Sequence, residues 1–328
     1  MFWSILAVPI GFVLDLIFGD FHGALGKIHP VVLIGKVISL FEKLFRGMCP
    51  KTARGENLAG ALVWLLTVDV TVVIACAIVI LCYAVSVPLG VAVEGIMCWQ
   101  ILAVKSLKTE SMKVYDALEN GTIEDARYAV SMIVGRDTAE LDDAAVTRAA
   151  VETVAENTSD GVVAPLFYIA FAGAVGGFLY KAVNTMDSML GYVEEPYKNV
   201  GFVPAKADDL FNYIPARLSA LFMLMAGKVL RLDVKNGWKI FRRDRYNHAS
   251  PNSAQTESVC AGLLGLRLAG DAYYHGVLHK KKYIGDEIRE IEHEDIKRAC
   301  RLMYVTSFIS VILCIAARAA ILCGFVAS

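Results

Sequence analysis

Long apolar runs alternate with charged segments along this chain of 328 residues. A membrane-crossing helix needs about 20 consecutive, mostly apolar residues, and four runs approach or exceed that length. We predict spans at 1–18, 58–83, 88–104 and 302–326. Two further apolar runs, 162–191 and 213–230, contain Pro, Gly or charged residues, so we interpret them as partial or re-entrant spans.

Two long polar segments, 105–156 and 231–301, have the composition of water-exposed helices. The end of the second segment, 280–301, is predicted to be a charged helix. Basic residues, including Arg54 and Lys105, flank the open ends of the second and third spans. Because cytoplasmic loops carry an excess of Lys and Arg, we predict that both polar segments face the cytoplasm.

These patterns predict an all-α, polytopic integral membrane protein with broken or re-entrant helices and a sizeable cytoplasmic helical portion. We expect a single membrane-embedded domain over 1–328, located in the cytoplasmic membrane. A hydrophobic content of 56% and a mean hydropathy of +0.51 agree with this class. The net charge of −1 implies no nucleic-acid partner. The eight cysteines form no Cys-x-x-Cys pair, which argues against a disulfide framework or a zinc site.

Candidate chemistry is concentrated in the stretch 148–192. Arg148, Glu152, Glu156 and Asp160 follow one another at steps of four residues, which places them on one face of a helix. Charged groups at the mouth of an apolar segment are costly unless they pair or bind something. For any one of these residues, a helical salt bridge or a cap is an equally good explanation. The whole set favours a functional site.

A helical hairpin would bring the two polar ends of this stretch together. If the apolar run after Asp160 crossed the membrane as one straight helix, Asp160 and Asp187 would face opposite sides of the bilayer. Pro165 lies early in the run, and glycines cluster within 173–177, where a turn is favoured. We therefore predict two short helices hinged at 173–177, with Asp160 and Asp187 at a similar depth.

Three other segments carry candidate chemistry. The run from His29 to Lys36 ends in Gly-Lys but lacks the first glycine of a P-loop, and a His before Pro is usually a turn residue. Asp208 and Asp209 precede an apolar helix, where they would serve as a cap or hold Mg²⁺. The segment 242–257 combines arginines with a Ser-Pro helix start, which suits a bound phosphate or an interfacial basic patch.

The motifs of these segments carry a resemblance to a known family. HPVVLIGK, RAAVETVAENTSDGVVAPLFY, YKAVNTMDSMLGY, DDLFNYIPARL and RDRYNHASPNS occur in this order over nearly the whole chain. Through these motifs, the chain resembles the CobD/CbiB family of cobalamin biosynthesis proteins, the adenosylcobinamide-phosphate synthases. The combination of ENTSDG, APLFY and NTMDSMLGY is highly specific.

The resemblance implies an ATP-dependent amide ligase of the membrane that needs Mg²⁺ and whose active site faces the cytoplasm. Its substrates would be adenosylcobyric acid and (R)-1-aminopropan-2-ol or the O-phosphate of that amine. The amine would be joined to the ring D propionate, giving adenosylcobinamide or its phosphate. Homo-oligomers and contacts with late enzymes of cobalamin synthesis are further expected partners.

Residue roles follow from the resemblance and the chemistry of amide formation. Activation of a carboxylate as an acyl phosphate needs positioning and neutralisation of phosphate charge. The expected catalytic residues are Glu152, Glu156, Asn157 and Asp160, with Glu152 as acceptor of the ammonium proton. The expected Mg²⁺ ligands are Glu156, Asp160, Asp187, Asp208 and Asp209. The nucleotide or the aminopropanol phosphate would contact His29, Lys36, Arg217, Arg242, Arg243, Ser250 and Asn252, and the other substrate contacts would be Asn184, Asp187 and Asp244.

Two other classes of protein compete with the ligase. A transporter for a corrinoid or a metal ion would explain broken apolar helices, but it predicts paired inverted segments, and the sequence shows no such symmetry. A membrane scaffold for late cobalamin enzymes would not need so many Asp, Asn and Arg residues in ENTSDG, NTMDS and RDRYNHASPN.

Overall fold

The computed structural model describes residues 2–20, 23, 25–192, 194–274 and 276–327. Met1, at the start of the predicted span 1–18, lies outside the described residues. The helices are, in chain order, α1 (Ala7–Phe18), α2 (Pro30–Met48), α3 (Ala53–Val85), α4 (Val87–Trp99), α5 (Val104–Asn120), α6 (Ile123–Ser131), α7 (Asp143–Thr158), α8 (Ala164–Leu190), α9 (Phe202–Phe211), α10 (Tyr213–Val229), α11 (Val234–Asp244), α12 (Ser253–Leu264) and α13 (Glu294–Ala327). A π-helical turn, Ser159–Val163, separates α7 from α8.

The chain forms two compact units, each built from segments that are distant in sequence. Unit 1 consists of Met1–Ala103, Ala164–Asn212 and Val311–Ser328, and unit 2 of Val104–Val163 and Tyr213–Ser310. We expected a single domain over 1–328 and did not separate these two units. Each unit joins segments that are distant in sequence, and only tertiary contacts bring such segments together.

Four helical stretches are long and apolar enough to cross a membrane: Ala53–Val85, Val87–Asn120, Asp143–Leu190 and Glu294–Gly324. There are five if the neighbouring helices α9 and α10 count as one broken span. The apolar helix within the predicted span 1–18 is shorter, at Trp3–Phe18. The predicted class, an all-α polytopic membrane protein, is confirmed.

Ser86 makes the tight connection between α3 and α4. It follows the last residue of α3, and its hydroxyl oxygen accepts a hydrogen bond from the N–H of Leu89 at 3.3 Å, which caps α4. Pro88 occupies the first turn of α4, where its missing N–H costs nothing. Gly90 allows the ring of Tyr83 to pack directly against the backbone of α4. These local preferences fold the two apolar runs into an antiparallel pair.

Helix α8 is a hairpin whose turn lies at Ala172 and Gly173. Gly173 has φ 62° and ψ −154°, a conformation open to glycine but not to residues with a side chain. The rings of Tyr168 and Tyr180 stack with their centroids 5.3 Å apart. In a straight helix, twelve residues would separate them by about 18 Å. The predicted hairpin is therefore confirmed, with its hinge at Gly173.

A buried ion pair satisfies the backbone groups that this turn leaves open. The break removes the helical partners of the Ile169 carbonyl and the Ala174 N–H. Glu94 of α4 accepts from the N–H of Ala174 at 3.3 Å, and Arg318 of α13 donates to the carbonyl of Ile169 at 3.0 Å. Glu94 and Arg318 lie 3.5 Å apart and are 3% and 6% exposed. Irregular backbone among membrane helices requires such internal partners.

Unit 2 combines helices with two pairs of short antiparallel strands. β1 (Leu268–Ala269) pairs with β4 (Tyr283–Ile284), and β2 (Ala272–Tyr274) pairs with β3 (Val277–His279). All residues of α12 are buried, and α11 packs along it.

The segment 231–301 is therefore not helical throughout. The charged helix expected over 280–301 begins only at Glu294. Gly265, Gly270, Gly276 and Gly285 adopt positive φ between α12 and α13 and favour turns and strands over a helix.

Candidate active site

A cavity of about 130 Å³ in unit 2 gathers charged side chains from four parts of the chain. It lies between the loop after α6, one face of α7, the start of the α12 region and the strand segment. Its polar lining residues are Arg136, Glu152, Thr153, Glu156, Asn157, His248, Glu257, Tyr274 and Lys281. We call it the acidic cavity, because it contains three glutamates.

Helix α7 supplies two of the glutamates. It begins after Asp142, whose carboxylate accepts a hydrogen bond from the N–H of Ala145 at 2.8 Å. Glu152 and Glu156 are one helical turn apart, so both point to the same side. The predicted charged face of this helix thus contributes to one cavity. Asp160 lies in the π-helical turn after α7, and Arg148 lies on α7 one turn before Glu152; neither lines the cavity.

Glu152 connects three segments of unit 2. Its side chain is buried, pairs with Arg136, and accepts a hydrogen bond from the N–H of Ala269 at 2.6 Å. Burial lowers the pKa of Arg136, but the charge of Glu152 and its hydrogen bond outweigh this and raise the pKa above the usual value. Both carboxylate oxygens of Glu152 are engaged, which suits a residue that positions the cavity walls.

Glu156 and His248 form the more open part of the cavity. The hydroxyl of Ser253 donates to Glu156 Oε1 at 2.7 Å. His248 Nδ1 accepts a hydrogen bond from the N–H of Ser250 at 3.1 Å, which assigns the proton to Nε2. Burial lowers the pKa of His248, against the opposing charge of Glu156. At neutral pH, His248 is therefore a neutral hydrogen-bond donor.

Glu257 brings a carboxyl group with an open bonding position. It is 4% exposed, and its Oε2 has no hydrogen-bond partner among the described residues. Burial raises the pKa of Glu257 well above its usual value, and the charges of Glu156 and Glu152 raise it further. Lys281, a cationic residue of the same cavity, donates to the hydroxyl of Tyr274 at 2.7 Å. A buried carboxyl oxygen that has no hydrogen-bond partner among the described residues offers a position that a polar ligand can fill.

Other predicted residues of unit 2 lie outside the cavity lining. Arg217 stacks over the ring of Tyr213 at 3.4 Å and donates to Asn252 Oδ1 at 3.2 Å, and the N–H of Asn252 donates to Ser250 Oγ at 3.2 Å. These residues lie at the start of α12. Asn252 directly precedes Ser253, the residue that donates a hydrogen bond to Glu156.

Arg243 and Asp244 are engaged with each other. Arg243 donates to both oxygens of Asp244 at 2.7 Å and to Asp286 at 2.8 Å, and Asp244 also accepts from the N–H of Gly285. They attach α11 to the segment after β4. Arg242, beside them, is exposed.

The remaining predicted residues belong to unit 1. Asn184 donates to Asp208 Oδ1 at 3.3 Å, while Asp209 pairs with Lys206 at 2.9 Å. Lys36 is exposed and Asp187 is half-buried. The convergence of Asp187 with Asp160, which lies in unit 2, stays a prediction.

His29 lines a separate cavity of unit 1, of about 300 Å³, together with Asp20 and Lys181. Its Nδ1 accepts from the N–H of Val31 at 3.3 Å and caps α2, which is the turn role that a His before Pro predicts.

A protein-only metal cage does not form from these residues. Within the part of the chain that the structure describes, no three His, Cys, Asp or Glu side chains come close enough to hold an ion. Mg²⁺ usually takes one or two carboxylates, with phosphate oxygens and water completing its shell. The acidic cavity offers carboxylates of that kind, with Lys281 as a phosphate partner.

Arg136, Tyr274 and Lys281 were not expected from the sequence. Arg136 lies in a Val-Gly-Arg-Asp-Thr sequence within the loop between α6 and α7. A charged residue beside a glycine, in the loop before the candidate helix, is a signal in the sequence that could have identified Arg136 as a site residue. His248 and Glu257 belong to the recognised segment 242–257 but were not assigned to the site. Lys281 gave no signal, since it lies in the run interpreted as a charged helix.

Comparisons with known proteins agree with the resemblance of the motifs. The family model described as CobD/Cbib protein matches residues 8–303. A cobalamin biosynthesis protein CobD of Clostridium perfringens is 46% identical over 313 residues, covering 95% of this chain and 98% of the relative. A protein of the same description from Pelobacter propionicus is 43% identical over 316 residues, covering 96% and 95%. A cobalamin biosynthesis protein CbiB of Salmonella typhimurium is 42% identical over 319 residues, covering 96% and 98%. No solved structure matches the chain.

Proposed function

We propose, from the premise that this chain belongs to the CobD/CbiB family of cobalamin biosynthesis proteins, that it is an ATP-dependent amide ligase acting in the cytoplasmic membrane. It would join the amine of (R)-1-aminopropan-2-ol, or of its O-phosphate, to the ring D propionate of adenosylcobyric acid. The active site would face the cytoplasm, where ATP is available. The observation that carries the proposal is the acidic cavity, in which three glutamates, a neutral histidine and two cations converge.

Amide formation makes two demands that these residues meet. ATP, when bound with Mg²⁺, would supply the phosphoryl group that activates the carboxylate, and that group would leave as phosphate when the amine forms the amide bond. Lys281 would neutralise phosphate charge, and the Nε2–H of His248 would donate to an oxygen that becomes negative in the transition state. Arg136 remains paired with Glu152, so this pair would hold the walls in place rather than bind substrate.

The attacking amine must also lose a proton. Glu152 was expected to accept it, but both of its oxygens are occupied by Arg136 and Ala269. Glu156 lines the same cavity with one oxygen held by Ser253, so we assign the proton acceptor to Glu156.

The proposal is tested with purified full-length protein in detergent, supplied with adenosylcobyric acid, aminopropanol phosphate, ATP and Mg²⁺. Glu156→Gln should lower the rate of product formation by about 100-fold or more, because the amide cannot accept the proton. Glu290→Gln removes an exposed carboxylate elsewhere in unit 2 and should leave the rate unchanged.

Full activity of Glu156→Gln, in protein that elutes normally on gel filtration, would show that the acidic cavity is not the active site. A wild-type protein that forms no product and hydrolyses no ATP would refute the ligase altogether.

The transporter remains the second candidate because α8 is broken, as helices of transporters are near the membrane midplane. The polar groups at that break, however, bond to one another and to the turn. Uptake of labelled corrinoid by proteoliposomes without ATP would favour transport. Failure of both activities would favour a scaffold for late enzymes of the pathway.

A further inference from the structure

Unit 2 contains a second cavity, of about 450 Å³, that the proposed chemistry does not use. Helix α5, the residue after α10 and the first turns of α13 form its walls. Three cationic side chains lie along it beside apolar and aromatic ones: Lys108, Lys297 and Arg301, with Met112, Leu230 and Tyr304. We call this cavity the basic groove.

The basic groove lies where α13 changes from charged to apolar. Arg301 is followed directly by Leu302, where the predicted span 302–326 begins. The stretch Glu294–Gly324 is long and apolar enough to cross a membrane. Tyrosines are enriched at the level of the lipid head groups, and Tyr304 lies in the groove at this transition. A groove at this transition from charged to apolar sequence is where a lipid head group would lie.

The groove carries more positive than negative charge. Lys297 and Arg301 share one carboxylate, that of Glu294, at 2.9 and 3.9 Å. The side chain of Arg301 is 69% exposed. Lys108 lies 5.4 Å from the centroid of the Tyr304 ring, a contact with an aromatic face rather than an anion. Two cations that share one carboxylate leave excess charge for an anionic ligand.

We propose that the basic groove binds the head group of an anionic phospholipid. Lys108 and Arg301 contact the phosphate, and the first part of an acyl chain lies along Met112 and Leu230. A free phosphate ion would not use the apolar wall, and a zwitterionic lipid would not use the excess positive charge. The combination of both features at this transition favours an anionic lipid.

Native mass spectrometry of the full-length protein in detergent tests this proposal, with titrations of phosphatidylglycerol and phosphatidylcholine. Wild-type protein should retain phosphatidylglycerol about 30-fold more tightly, which is about 2 kcal/mol for the two cations Lys108 and Arg301. The Lys108→Gln/Arg301→Gln double variant should lose this preference. Lys235→Gln, an exposed lysine of α11 outside the groove, is the matched control and should keep it.

Equal binding of the two lipids by wild-type protein would overturn the proposal, as would an unchanged preference in the double variant. Displacement of phosphatidylglycerol by millimolar inorganic phosphate would also overturn it, because that indicates a site for a soluble anion. If the double variant does not fold, Lys108→Arg and Lys108→Gln serve instead: the first should keep the preference and the second should weaken it.

Discussion

Glu257 holds a carboxyl group inside a cavity that already contains two other glutamates. Its burial and the neighbouring charges of Glu156 and Glu152 raise its pKa well above the ordinary value of 4.5. Glu152, in contrast, is matched by Arg136 and a backbone N–H. The two glutamates are therefore in different environments: Glu152 is paired, whereas Glu257 keeps its proton to a higher pH than a free carboxyl does.

The raised pKa of Glu257 makes the stability of the protein depend on pH. The unfolded chain releases this proton near pH 4.5, whereas the folded protein keeps it to a higher pH. The contribution of protonated Glu257 is complete below that value and is lost as the pH rises towards the folded pKa, at about 1.4 kcal/mol for each pH unit. The Glu257→Gln variant stays neutral and should not show this loss.

Thermal unfolding in detergent at about pH 5 and about pH 8 checks this prediction. The wild-type midpoint should decrease more than that of Glu257→Gln over this range. His248, whose pKa is lowered, contributes stability that is lost as the pH falls below 6.5, but it is present in both proteins and cancels in the comparison. Parallel pH profiles for the two proteins would contradict the raised pKa.

At the scale of the element, the α8 hairpin shows how an apolar run reverses direction. A turn at this depth needs a backbone conformation that glycine tolerates and partners for the groups that leave the helix. Gly173 meets the first need, and the Glu94–Arg318 pair, from α4 and α13, meets the second. The pair also connects the turn to its surroundings, because Arg318 donates to Ser4 and Glu94 accepts from Tyr83, each at 2.8 Å.

Gly173→Ala should destabilise the protein by at least about 1–3 kcal/mol. A residue with a side chain is strained at φ 62° and ψ −154°, and its Cβ would also meet the carboxylate of Glu94. Gly47→Ala is the matched control: Gly47 is exposed within α2, and a Cβ there would meet nothing within 4 Å. That change should be neutral or stabilise the helix by up to about 1 kcal/mol.

The midpoint of thermal unfolding and the amount of protein in the membrane fraction measure both variants. Equal midpoints for Gly173→Ala and Gly47→Ala would mean that the turn is not held in the conformation described.

At the scale of the molecule, the polar residues are divided between two units that the chain enters more than once. Asn184, Asp187 and Asp208 belong to unit 1, and the acidic cavity belongs to unit 2. The proposed ligase requires both sets on the cytoplasmic side. Within unit 1, the hairpin in α8 brings the end of that helix back towards its own start.

Labelling of an introduced cysteine tests that topology. Ser188 is exposed in the last turns of α8, and Lys235 is exposed in α11. We expect Ser188→Cys and Lys235→Cys both to react with a membrane-impermeant maleimide in inverted vesicles but not in intact cells, after subtraction of the labelling of the native cysteines. Reaction of Ser188→Cys from outside intact cells would place the polar end of α8 away from the cytoplasm and exclude it from the proposed site.

Several features of this protein follow from the sequence alone. The long apolar runs determine that it is a helical membrane protein. Helices of this length would expose too much apolar surface to water, whereas a bilayer covers it. Ser86 and Pro88 make the connection of α3 to α4 through their own backbone preferences, and the glycines at 173–177 predict the hairpin. These are local effects, in which a residue's own backbone preference selects the structure. The family motifs add the expected activity.

Only the tertiary structure decided which of the charged residues share a cavity. Arg136, Glu152, Glu257 and Lys281 are far apart in sequence, and no periodicity relates them. The expected ligand contacts Arg243 and Asp244 pair with each other, and Arg243 also pairs with Asp286. The free energy of a buried charge depends on the partners that folding brings to it. The sequence pattern contains the local preference of each residue. The residues that share a cavity, however, come from segments up to 145 positions apart, which is the separation of Arg136 and Lys281.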